Sequence, residues 1–143
     1  MQDTYGDKVR VVWKHLPLPS LHPDAEAAAL ASVAAHKQGK FWEFHDKLFQ
    51  DQRNLKYDAF KRYVGELGMD VAQFERDFAN LDNKKIVDDD MAEARSLGLT
   101  GTPAFFINGR FLRGAQPYNA FVRVINEELE KLDLPIPEAA QAG

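Results

Sequence analysis

The sequence predicts a mostly helical α/β domain with strand elements at its two ends. Three observations carry this. Lys8–Leu16 is a run rich in β-branched and aromatic residues, apolar residues recur at helical spacing from Asp24 to Leu97, and Asn108-Gly109 sits between two apolar runs as a hairpin signal. The 143 residues are enough to bury one real core.

In Lys8–Leu16, Val9, Val11 and Trp13 alternate with Arg10, Val12 and Lys14, which suits a strand covered on at least one face. Pro17 and Pro19 stop it. Asp24–Gln38 is an Ala-rich helix with Asp24 and Glu26 in its first turn and Gly39 at its end. Phe41–Gln50 carries Phe41, Phe44 and Leu48 on one stripe, with Trp42, His45 and Phe49 beside it, and the aromatic cluster reads as core. Asp58 is expected to cap a helix bearing Phe60, Tyr63, Val64 and Leu67. Asp70 with Gln73 resembles a capping box before Phe74 and Phe78. Asp82 begins a helix whose buried stripe is expected to be Ile86, Val87, Met91, Ala94 and Leu97. Ala104–Ile107 and Arg110–Arg113 form the hairpin around a type I′ turn. Pro117 opens a last helix with Phe121, Val124, Ile125, Leu129 and Leu132 on its apolar face, and 134–143 is expected to be a flexible tail after a domain over 1–133.

Composition excludes several function classes. A net charge of −4 speaks against a nucleic-acid surface, which needs clustered Lys and Arg. No apolar run approaches a membrane span, and no charged start with an apolar stretch reads as a signal peptide. The absence of cysteine removes disulfides, zinc-thiolate sites and thiol catalysis by these residues.

Few residues are arranged for chemistry. His15, His22, His36 and His45 lack a zinc-ligand spacing, so no metal site is expected. His45 and Asp46 are adjacent on a helix and are not expected to face each other. Ser20 and Ser32 have no nucleophile-elbow context. Asp88-Asp89-Asp90 point about 100° apart on a helix and cannot converge on one cation; they read as a solvated face with one capping or pairing role. Gly101-Thr102-Pro103 runs straight into the hairpin strand. Proline at a strand's first residue is an ordinary entry, whereas a cis bond would turn the chain sharply and leave Thr102 backbone groups facing outward. Cis forms make up about 5–6% of X-Pro bonds, so these residues alone leave both readings open.

The segments VRVVWKHLPLP, HPDAEAAALASVAA, QGKFWEFHDKLF and LGLTGTPAFFINGRFLRGAQPYNAFVRVI stand in an order that resembles the bacterial DsbA-like thiol–disulfide oxidoreductases, a branch of the thioredoxin superfamily. The likeness covers residues 5 to 132, and KFWEFHDKLF and GTPAFFINGR are its most specific stretches. It implies an incomplete thioredoxin-like fold with a helical insertion over about 22–80. It also implies a cis bond at Pro103, and a loop of Gly101, Thr102 and Pro103 that binds an extended substrate segment by strand addition.

The departure from the family is at the front. Relatives carry Cys-x-x-Cys at a helix N-terminus, where the dipole stabilises the reactive thiolate. No residue here matches either cysteine, so no catalytic residue, cofactor or metal is expected. Met1–Tyr5 is expected to be the last turn of that helix, as in an N-terminally truncated member. The absent strand would be central, between Val9–Trp13 and Ala104–Ile107. Both edges would then be open, which implies a homodimer, a domain-swapped oligomer or a rearranged sheet. Three functions follow: a redox-family chain that is inactive by itself; a non-catalytic module holding an extended peptide, or its own copy, at Thr102-Pro103; or a relative of the glutathione-dependent isomerases. Relatives work outside the cytoplasm, but nothing in these residues identifies the compartment.

Overall fold

The computed structural model describes residues 1–141 and divides them into two units, one formed by 14–98 and the other by 1–13 with the residues from 99 onward. The expected tail residues Ala142 and Gly143 lie outside the described residues.

The 14–98 unit is helical throughout. Its helices are α2 (Ala25–Lys37), α3 (Phe41–Gln50), α4 (Tyr57–Glu66), α5 (Val71–Phe78) and α6 (Leu81–Ser96). Alanine makes α2 a strong helix former and keeps its flanks thin. One flank, Ala31, Ala34 and Ala35, packs on Phe44, Phe60, Tyr63, Val64 and Phe74; another, Ala29 and Val33, packs on Val87 of α6. Phe44 is the hub, with the Phe60, Tyr63 and Phe74 rings 6.0–6.2 Å away. Gly39, at φ 70°, ends α2 by letting its own N–H reach His36 O and the Lys40 N–H reach Ala35 O. α6 packs on α2 through Val87 and so belongs to this same unit.

Several sequence expectations change here. Phe44 and Leu48 are buried, but Trp42 and Phe49 are exposed, so the aromatic cluster is only partly core. On α6, Val87 and Ala94 are buried, whereas Ile86 and Leu97 lie at the surface and Asn83 and Asp90 take buried places. Asp58 lies inside the first turn of α4, whose N-cap is Lys56. Asn80, not Asp82, caps α6, its side chain accepting from the Asp82 N–H at 2.8 Å. Half of the expected box at Asp70 forms: its carboxylate accepts from the Gln73 N–H at 2.7 Å. Gln73 does not reach back. The side chain of Gln38, at the end of α2, takes that role, accepting from the Asp70 N–H and donating to the Asp70 carbonyl.

The second unit holds α1 (Gln2–Tyr5), a 3-10 turn over Gly6–Lys8, β1 (Ala104–Ile107), β2 (Arg110–Arg113), α7 (Tyr118–Lys131) and a 3-10 turn over Glu138–Ala140. β1 and β2 pair antiparallel around Asn108 and Gly109, whose φ angles of 48° and 82° are those of the expected type I′ turn. Tyr5, Val122, Ile125, Leu129 and Ala140 form the core, with Val9, Ile107 and Ile136 against it. The stretch expected as a flexible tail thus contributes Ile136 and Ala140, and the Ala140 carbonyl accepts from Asn126 Nδ2. The Tyr5 hydroxyl donates to Asn126 Oδ1 at 2.8 Å, and burial raises its pKa above the usual 10.0.

Lys8–Leu16 is not a strand. Val9 is extended, at φ −126° and ψ 127°, but the run joins no sheet among the described residues. High β-propensity expresses a fit to a pleated, half-buried neighbour, and among the described residues no strand pairs with this segment. None of the helices described is long and apolar enough to cross a membrane.

Candidate functional site

Gly101, Thr102 and Pro103 are exposed and lead directly into β1, and the Thr102-Pro103 bond is cis. Hairpin geometry decides which backbone groups this loop delivers to the surface. Ile107 and Arg110 flank the two-residue turn and form a hydrogen-bonded pair, and such pairs alternate along an antiparallel ladder. Phe105 and Pro103 therefore direct their backbone groups at β2, and the Gly114 N–H donates to the Pro103 carbonyl at 3.0 Å. Ala104 and Phe106 direct theirs the other way. No second strand lies along that edge among the described residues.

The two faces of the hairpin differ in the same alternation. On one face Ile107 joins the core, Phe105 meets Phe121 of α7 edge-on at 4.8 Å, and Arg110 pairs with Glu127 and Glu128. The other face carries Phe106 and Phe111, whose rings are 5.1 Å apart and which stay 44% and 49% exposed. The loop thus opens onto an edge with free backbone donors and acceptors beside an apolar face. The β1 sequence Ala-Phe-Phe-Ile carries no charge. This arrangement can hold an extended chain by main-chain hydrogen bonds and phenyl contacts.

The helical unit contains a second polar constellation. Asp90 is buried on α6, with one oxygen accepting from Lys14 Nζ and the other from the His15 backbone N–H, both at 2.9 Å. Lys14 Nζ also meets Glu93 at 2.9 Å, and these two carboxylates raise its pKa. Burial pushes the His15 imidazole below its ordinary pKa, and His36 adds to that while Asp90 opposes it. Asp88 and Asp89 instead pair with Lys84 and Lys85 one turn back, so the acidic triplet diverges as its helical spacing requires. No group of side chains suited to a metal ion occurs among the described residues. Asp90 anchors the start of this unit through both of its oxygens. Its position was detectable: Val87, Asp90 and Ala94 share one stripe, and a carboxylate on a buried stripe demands a partner.

On α3, His45 Nδ1 lies 3.0 Å from Asp46 Oδ1, so these adjacent residues do meet, contrary to expectation. The His45 ring also packs on Phe49 at 4.5 Å and Trp42 at 5.4 Å.

A family model for the DSBA-like thioredoxin domain matches residues 1–126. Among curated proteins, the Na(+)/H(+) antiporter NhaA 1 of Mycolicibacterium gilvum (strain PYR-GCK) is 37% identical over 123 residues, 85% of this chain and 20% of that protein. The protein of the same name from Mycolicibacterium vanbaalenii is 40% identical over 118 residues, 81% of this chain and 19% of its own length. The Na(+)/H(+) antiporter NhaA of Herminiimonas arsenicoxydans is 42% identical over 114 residues, 78% of this chain and 17% of that protein. The chain spans about a fifth of the length of these relatives.

Proposed function

Since the chain belongs to the DSBA-like thioredoxin domain family, we propose that it recognises extended polypeptide along the outward edge of β1. Gly101, Thr102 and Pro103 are the contact loop, and these residues by themselves do not exchange disulfides. The observation that carries the reading is the edge itself: Ala104 and Phe106 present unpaired backbone groups next to that loop, on an uncharged strand backed by Phe106 and Phe111. Main-chain pairing gives affinity for any extended segment, and the phenyl face favours apolar side chains.

The redox half of the proposal rests on chemistry. Disulfide exchange requires a thiolate to attack a disulfide sulfur, and the 143 residues contain no cysteine. Insulin reduction by dithiothreitol tests this: the chain should leave the rate at the uncatalysed level, and acceleration would refute the assignment. The antiporter-named relatives share only a fifth of their length with this chain, so in them a segment like this one is part of a longer protein. Ion transport is not proposed for these residues.

A further inference from the structure

We propose that Asn108 is a self-modifying site: in the folded chain it loses its side-chain amide to attack by the Gly109 backbone nitrogen, which leaves isoaspartate or aspartate at the hairpin tip. The reaction needs neither a partner nor an open sheet edge. The Gly109 nitrogen forms a bond to the Asn108 side-chain carbonyl carbon and closes a succinimide ring. The bond from that carbon to Nδ2 breaks, and Nδ2 leaves as ammonia with the proton given up by the Gly109 nitrogen. Water then opens the ring at either carbonyl; nothing is oxidised or reduced. Of the chain's asparagines only Asn108 precedes glycine, and a residue without Cβ leaves the attacking nitrogen least hindered. Leucine, lysine, alanine or glutamate follows the others.

The fold leaves this pair accessible. Asn108 and Gly109 are exposed, and nothing lies within 4 Å of the place a Gly109 Cβ would take. The Ile107–Arg110 pair closes the ladder, so the Gly109 N–H has no acceptor among the described residues. The Asn108 amide makes one long contact, donating to Glu128 Oε2 at 3.5 Å. Other asparagine amides are tied more firmly. Asn83 Nδ2 donates to the Asp77 carbonyl at 2.9 Å, Asn80 Oδ1 caps α6, and Asn126 uses both amide atoms, on Tyr5 and Ala140. Both products work against the turn. Either one replaces a donor by a carboxylate facing Glu128, whose own carboxyl is held below the usual carboxylate range by Lys131 and Arg110. Isoaspartate also adds a backbone atom to a two-residue loop whose φ angles of 48° and 82° fit a type I′ turn. Modification therefore loosens the hairpin tip from α7.

Peptide mapping of the whole chain, fresh and after incubation in mildly alkaline buffer, tests this. Trypsin cuts after Arg95 and Arg110 and releases Ser96–Arg110, which holds Asn108. In the incubated sample this peptide should be lost to two isomers that carry the mass of an acid in place of an amide. Peptides holding the other asparagines should stay as they were. Asn108→Gln, whose longer side chain closes the ring far more slowly, should remain unmodified with the same helical circular dichroism. An intact Asn108 in the incubated, folded chain overturns the proposal, as does a change that appears only in urea or equally at the other asparagines. Amide exchange at Phe105 and Ile107 should quicken in the modified chain, and less so when Glu128→Gln removes the opposing charge. Unchanged exchange at both residues would overturn the loosening of the tip.

Discussion

Asp90 shows what one buried carboxylate does when both its oxygens are used. It holds the Lys14 ammonium and the His15 backbone N–H against α6. Asp90→Ala leaves that N–H without its acceptor in a buried residue, a loss of about 1–3 kcal/mol. Urea unfolding should show it, and Asp90→Asn, which keeps an acceptor, should lose less. His15 makes the same region sensitive to acid. Its imidazole, buried beside His36, has a pKa below the ordinary 6.5. The unfolded chain therefore binds this proton more readily than the folded one. The stability due to neutral His15 is complete above pH 6.5 and declines as pH falls from there through the lowered value. Unfolding curves at pH 7.5 and 5 should differ less for His15→Gln than for the parent; an equal difference would show that other groups set the acid response.

At the scale of elements, caps and turns decide where helices stop and how they meet. Asp70 starts α5 through the Gln73 N–H, while its own backbone is bridged by Gln38 from the end of α2. Asp70→Ala should cost about 1 kcal/mol in chemical denaturation, the usual worth of an N-cap; no change would mean that the Gln38 bridge alone fixes this corner. Local rules made such elements legible in the sequence. The Phe41–Gln50 helix and the Asn108-Gly109 hairpin follow from spacing and turn chemistry within a few residues. Lys8–Leu16 failed as a strand because pairing is a long-range property: its β-branched residues state a preference, and only a neighbouring strand can satisfy it. The Gln38 bridge to Asp70 spans 32 residues and leaves no periodic trace. The Asp90 clamp spans 75 and leaves only a carboxylate out of place on an apolar stripe.

At the scale of the whole molecule, the chain holds a helical unit built on Phe44 and a small unit built on Tyr5 and α7, matches the DSBA-like thioredoxin domain over residues 1–126, and contains no cysteine. Family likeness located the Thr102-Pro103 loop in the sequence. Which backbone groups the loop leads to depends on the hairpin register, and the exposure of Phe106 and Phe111 depends on what covers that face; neither is a property of the residues alone. We propose the outward edge of β1 as the recognition element. Amide hydrogen exchange on the isotope-labelled chain, in dilute solution with and without an extended, cysteine-free apolar peptide, tests it most directly. Bound peptide should slow exchange at Ala104 and Phe106, while Phe105 and Ile107, already facing β2, change little. Unchanged exchange at Ala104 and Phe106 with a peptide that demonstrably binds elsewhere would contradict it.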